Sequence, residues 1–124
     1  MLEIEMIDSL SAAITDANFV LEAAQNLKSG TIQIHCLDDE PQNSTKGYKG
    51  QRKVEIVFTC YAINTAAARM LCRRLVTALR EHSPSFGSYI ITGWKLEGET
   101  GGFDKNTNLC YRDFTYNATY QEPE

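Results

Sequence analysis

The chain has 124 residues, 43% apolar and 23% charged, with 12 basic against 16 acidic side chains and a net charge of -4. That length suits one domain with one core, and the composition is that of an ordinary globular protein, which excludes a disordered or collagen-like chain. An isoelectric point near 5.2 argues against wrapping nucleic acid as the main task, because such binding rests on neutralising phosphates; a local basic patch stays open.

In chain order, apolar Ile7, Leu10, Ile14, Ala17, Leu21 and Ala24 share one arc at helical spacing, opposite Asp8, Ser11, Thr15, Asn18 and Glu22. The spacing predicts a helix over 6–27, with Gly30 as its C-cap, since glycine takes the left-handed conformation without a Cβ clash. Ile32, Ile34 and Cys36 then alternate with Gln33 and His35, a strand over 31–37. From Asp38 to Arg52 the sequence is polar, holds Pro41, Gly47 and Gly50, and keeps no period. A mobile arm or hairpin tip is expected, acidic at first (Asp38, Asp39, Glu40) and basic at its end (Lys46, Lys49, Arg52, Lys53).

The most regular stretch follows. Val54, Ile56, Phe58 and Cys60 alternate with Glu55, Val57, Thr59 and Tyr61, a half-buried strand. At Asn64-Thr65 the period changes. Short polar side chains there can accept from the free N–H groups of a first helical turn, and Ala68, Leu71, Cys72, Leu75, Ala78 and Leu79 gather on one arc of a helix reaching about His82. Arg69, Arg73 and Arg80 form a stripe on the far side. A third strand is expected over 88–97, with Tyr89, Ile91 and Gly93 on one face and Ile90, Thr92 and Trp94 on the other, and with a bulge or close backbone approach at Gly93. A second loop, 98–108, leads to a last strand over 109–121. There Cys110, Phe114, Tyr116, Ala118 and Tyr120 alternate with Asp113, Thr115, Asn117 and Thr119. The fold class is α+β: a single small domain of order α-β-β-α-β-β, a mainly antiparallel sheet with two helices on one face.

Little in the chain suggests catalysis, a cofactor or a metal. Cys36, Cys60, Cys72 and Cys110 show no C-x-x-C and no Cys/His pairing, so reduced core thiols are expected rather than zinc ligands or a disulfide framework. Cys72 and His82 stand ten positions apart on one helix, out of hydrogen-bond reach of each other. His35 falls on the polar face of a strand, and His82 at a helix C-terminus, where the dipole favours a cation. Gly98-Glu99-Thr100-Gly101-Gly102 is too short and acidic for a phosphate cradle, and the acids at 38–40 lack EF-hand spacing. Glu3 and Glu5 stand where a secretory signal would be basic, and no apolar run approaches the ~20 residues of a membrane span, so folding in a cytoplasm without membrane contact is expected.

The succession Val54 to Ala62, then Asn64-Thr65-Ala66-Ala67-Ala68 opening a helix that closes at Leu79-Arg80, then a strand around Ile90 to Leu96, a Gly-and-Asp loop and Arg112-Asp113-Phe114-Thr115-Tyr116, resembles the small tail-completion proteins of long-tailed bacteriophages. It is most similar to their tail terminator group, which includes proteins labelled minor tail or minor capsid. The resemblance spans roughly residues 50–121. It implies a structural virion protein, assembled in the host cytoplasm, that forms a homo-oligomeric ring, typically a hexamer. Such a ring caps the tail tube, joins it to the head connector or neck protein, and lets DNA pass non-specifically through its lumen.

A ring needs two different patches per subunit that meet head to tail. Trp94, Tyr111, Phe114, Tyr116 and Tyr120 are interface candidates, since aromatics are enriched at interfaces; they read equally well as half-buried sheet residues. Lys46, Lys49 and Arg52 would reach out from the first loop, and Arg69, Arg73 and Arg80 would line the lumen. Two other readings stand beside this one. A head-completion or neck protein shares the size and ring geometry, and a small cytosolic module would hold a peptide or RNA on the open sheet face, with aromatics stacking bases.

Overall fold

Two long hairpins joined side by side make the middle of the structure. The computed structural model describes residues 2–15, 17–21, 29–44, 47–82, 85–86, 89–105 and 108–121. Along it run α1 (Leu2–Ala13), β1 (Asn18–Val20), β2 (Thr31–Ser44), β3 (Gly47–Ala62), α2 (Thr65–His82), β4 (Ser85–Phe86), β5 (Tyr89–Asp104) and β6 (Leu109–Gln121). The strands form one sheet of order β1-β2-β3-β6-β5-β4. Among the described residues β1 and β2 run parallel and the other pairs are antiparallel. The domain is small and single, and its sheet curls into a half-barrel.

Alternate residues of the strands face the helices. Ile32 and Ile34 of β2, Val54, Ile56, Phe58 and Cys60 of β3, and Phe114, Tyr116, Ala118 and Tyr120 of β6 form one buried cluster with Leu71, Leu75 and Leu79 of α2. Helix α2 begins where the sequence changes period: the Ala67 N–H donates to Asn64 Oδ1 at 2.8 Å, so Asn64 caps one of the orphan donors of the first turn. It lies across β3 and β6, while α1 packs on α2 and reaches β1, β2 and β4. Because the sheet curls, one short helix meets strands from both of its ends.

Several expectations are corrected. The first helix is shorter and earlier than 6–27: it buries Leu2, Met6 and Leu10, four residues apart. Beyond it Ile14 is buried and Phe19 packs against the core from strand β1, so these apolar residues serve the core without a helix. Residues 22–28 lie outside the described residues. Gly30 does have positive φ, 88°, but the residue it leads into is Thr31 of β2, and its N–H donates to the Tyr61 carbonyl at 2.8 Å. With β1 and β4 added, the element order becomes α-β-β-β-α-β-β-β.

Strand pairing extends into both expected loop stretches. The described residues of 38–52, namely 38–44 and 47–52, form the end of the β2–β3 hairpin, the hairpin-tip alternative of the expectation, with pairing to Asn43↔Tyr48 and Ser44↔Gly47 and register shifts after Leu37 and after Pro41. The stretch 98–108 is mostly β5, paired to β6 as far as Asp104↔Leu109. Asn108, at φ 60°, turns that hairpin, a conformation that asparagine tolerates better than most residues. Both segments hold glycine or proline, yet backbone pairing continues through them.

The bulge expected at Gly93 exists: the β5–β6 register shifts between Ile91 and Gly93, and again between Leu96 and Gly98. An extra residue reverses the alternation. Ile91 opposes Tyr120 and Trp94 opposes Ala118, so Ile91 and Trp94 share the helix-side face instead of pointing apart.

Candidate functional site

On the helix side, an aromatic ladder crosses three strands. Phe58 stacks on Phe114 with centroids 5.4 Å apart, Phe114 meets Tyr116 edge-on at 5.8 Å, and Tyr116 stacks on Trp94 at 4.5 Å and 24°. Phe114, Tyr116 and Tyr120 are buried within this chain, at 6% exposure or less. A buried ring has no area left to offer a neighbour. Of the expected aromatic interface residues, these three therefore belong to the core, and half-buried Trp94 and Tyr111 keep some free surface. Burial also holds the Tyr116 hydroxyl above its ordinary pKa.

The ladder ends in a cleft of about 270 Å³ between α2 and β5, where Val76, Trp94 and Leu96 supply apolar walls and Arg80 and Glu99 stand at the rim. Helix α2 does not reach far enough to cover β5, and Leu96 stays half exposed. Glu99 is held by Arg112, whose Nε donates to it at 3.1 Å. Cys72 also lines the cleft. A hydrogen bond between its sulfur and that of Cys60, together with burial, pushes the Cys60 thiol up, while the same bond pulls Cys72 down. Both are reduced, as are half-buried Cys36 and Cys110.

The opposite face of the sheet has no helix among the described residues. It presents Gln33, His35 and Leu37 from β2, Lys53, Glu55, Val57, Thr59 and Tyr61 from β3, and Tyr111, Asp113, Thr115, Asn117 and Thr119 from β6. Tyr61 and Tyr111 lie 6.3 Å apart, and the Tyr61 hydroxyl donates to Gln33 Oε1 at 3.4 Å. Partial burial, then the carboxylates of Asp113 and Asp104, raise the Tyr61 pKa. The acids Glu55 and Asp113 beside the base Lys53 leave no cationic surplus for phosphate.

Arg69, Arg73 and Arg80 are all exposed along the outer side of α2. Arg73 and Arg74 border a groove against Ala13 and Ile14, whereas Arg80 borders the cleft toward β5. Arg52, on the helix-side face opposite Tyr120, is half-buried. Lys46 lies outside the described residues, and the side chain of Lys49 likewise. Among the described residues five large apolar side chains are at least half exposed, Ile63, Met70, Ile90, Leu96 and Phe103, and the sequence marked none of them as a site. Phe103 becomes visible as a strand residue only once β5 is known to run to Asp104. Among the described residues, no three His, Cys, Asp or Glu side chains gather as a metal would require, and no helix is long and apolar enough to cross a membrane.

A solved chain from the virion of a native gene transfer agent particle superposes on this one with a TM-score of 0.62, covering 97% of this chain and 90% of that one at 12% identity. The two chains share a fold. No protein-family model and no curated protein matches the sequence. The agreement extends over nearly the whole of both chains, so it includes the extended hairpins as well as the core.

Proposed function

We propose that the protein is a structural component of a phage-like virion, with no catalytic role, and specifically a tail terminator: a subunit that closes into a ring, caps the tail tube and joins it to the head connector. The observation that carries this reading is the end-to-end likeness to a virion chain, which agrees with the resemblance already visible over residues 50–121. The molecule suits such work in three ways. Its own side chains build a continuous core, its cleft at Trp94 and Leu96 offers an apolar patch with a charged rim, of the kind found at the centre of protein interfaces, and its α2 arginines supply a mild cationic strip that passing DNA would meet. A peptide- or RNA-binding role for the open face is less well supported, because that face mixes acids with bases.

The test is absolute mass by light scattering over a concentration series. A ring predicts a rise toward six times the 13.9 kDa chain, with a central hole in images of the particles. A stable dimer with nothing larger would sink the ring.

A further inference from the structure

Two of the four cysteines meet inside the core, and the virion role uses neither. Cys60 faces the helices from β3 and Cys72 faces the sheet from α2, so their side chains approach from opposite layers, and the Cys60 thiol donates a hydrogen bond to the Cys72 sulfur. Cys60 is fully enclosed, whereas Cys72 keeps 8% of its surface and forms part of the cleft between α2 and β5. A third group completes the arrangement. Arg112 stands opposite Cys60 on β6 and crosses the bare backbone of Gly101, where a Cβ would lie 3.2 Å from its Nη1. It donates to Glu99 through Nε at 3.1 Å and also to the Cys72 sulfur. One sulfur therefore reaches the cleft while accepting from a thiol and a guanidinium, and the other stands behind it. Cys36 and Cys110 are more exposed than either, and Cys110 accepts from the Thr65 hydroxyl at 3.9 Å. Exposure alone would make those two react first.

We propose that Cys72 is an oxidation site for small hydroperoxides and Cys60 its resolving partner, the pair closing to a disulfide that ties α2 to β3. The inference goes beyond the virion reading and does not depend on it. The reactive form of a cysteine is the thiolate. The hydrogen bond from Cys60, helped by Arg112, pulls the Cys72 pKa down against the burial that would raise it, so Cys72 holds more thiolate than an ordinary thiol. A cleft of about 270 Å³ admits hydrogen peroxide. The thiolate attacks one peroxide oxygen, the O–O bond breaks, and the other oxygen takes a proton and leaves as water; the sulfur, oxidised by two electrons, becomes a sulfenic acid. With the thiolate gone, so are the hydrogen bond and the charge that held the proton on Cys60. The Cys60 sulfur then attacks the Cys72 sulfur, the S–O bond breaks, and the hydroxyl leaves with the Cys60 proton as a second water. In sum one hydrogen peroxide is reduced to two waters and two thiols become one disulfide.

The new bond closes a short loop, 60–72, that contains the end of β3, the Asn64 cap and the first two turns of α2. Such a loop restricts the unfolded chain and holds the start of the helix against the sheet.

The test is intact-mass analysis of the whole chain after a few equivalents of hydrogen peroxide, followed by alkylation of the remaining thiols and peptide mapping. Expected are the loss of two hydrogens, a link between Cys60 and Cys72, and alkylation at Cys36 and Cys110, with Cys72 consumed about tenfold or more faster than those two. The linked protein should unfold at higher urea and return to the original midpoint with dithiothreitol. Cys60→Ser should stop the reaction at a sulfenic acid on Cys72, captured by dimedone. Faster oxidation at Cys36 or Cys110, a link between two chains, or oxygen added to Cys72 with no link to Cys60 overturns the inference. Mapping of the unaltered chain decides this even where Cys60→Ser lowers stability, and none of these outcomes bears on the ring, which light scattering tests separately.

Discussion

The two faces of the sheet are made from alternate residues of the same strands, and they solve different problems. On the helix side Phe58, Phe114 and Tyr116 are locked by ring contacts at 5.4 to 5.9 Å and closed over by α2. On the other side Thr115 and Asn117, their immediate neighbours in sequence, stand half-buried with no helix above them among the described residues. Period-two alternation separates the residues that specify the fold from those left free to meet a partner.

Phe58→Ala is the strongest way to break the contrast. It removes the centre of the ladder from a fully buried site and should cost ~3–5 kcal/mol, read as a fall in the urea midpoint with the slope kept. Alkaline pH acts on both faces through tyrosine. The pKa values of Tyr116 and Tyr61 are raised by burial, so the folded state keeps their protons where the unfolded chain has lost them. Their stabilisation is complete below the unfolded value of ~10 and is lost as pH rises through the folded values; a urea series from pH 8 to 11 should show stability falling only in its upper part. Removing the cap with Asn64→Ala should cost ~1 kcal/mol. Asn117→Ala, on the open face, should stay within ~0.5 kcal/mol in the same assay. A large loss there would mean that the open face contributes to the fold after all.

Much of the helix side was legible because burial writes itself as a period. The α2 arc from Ala68 to Leu79, the Asn64 cap, and the alternation from Val54 to Cys60 and from Phe114 to Tyr120 all follow from residues that must face one way. The Gly93 bulge was also readable, although its consequence for the parity of Ile91 and Trp94 was not, since one inserted residue leaves the composition unchanged. The hairpin tip at 38–52 was legible only as one of two alternatives, and the extension of β5 to Asp104 was not legible. Their pairing is made by backbone hydrogen bonds beyond the reach of the core, so polar and glycine-rich sequence there looks like loop. Strand β1 has three residues, too few to show any period, and Ile14 and Ala17 continued the helical spacing by coincidence. The candidate site suffered most from this. Glu99 and Phe103 acquire neighbours only when β5 is long, and three of the five aromatics marked for an interface, Phe114, Tyr116 and Tyr120, are buried in the core.

The seam between β3 and β6 has a consequence for how the chain reaches its structure. Each hairpin joins neighbours in sequence, β2 to β3 and β5 to β6, but the seam pairs Gln51 with Gln121 and Ala62 with Cys110. Closing it requires bringing together segments separated by a helix and another long strand, and that entropy is spent before the aromatic ladder can form across it. Refolding should therefore belong with the slower mixed and all-β domains, on the millisecond-to-second scale, and stopped-flow fluorescence of Trp94, which stacks on Tyr116 only in the finished sheet, would time the joining of the two halves.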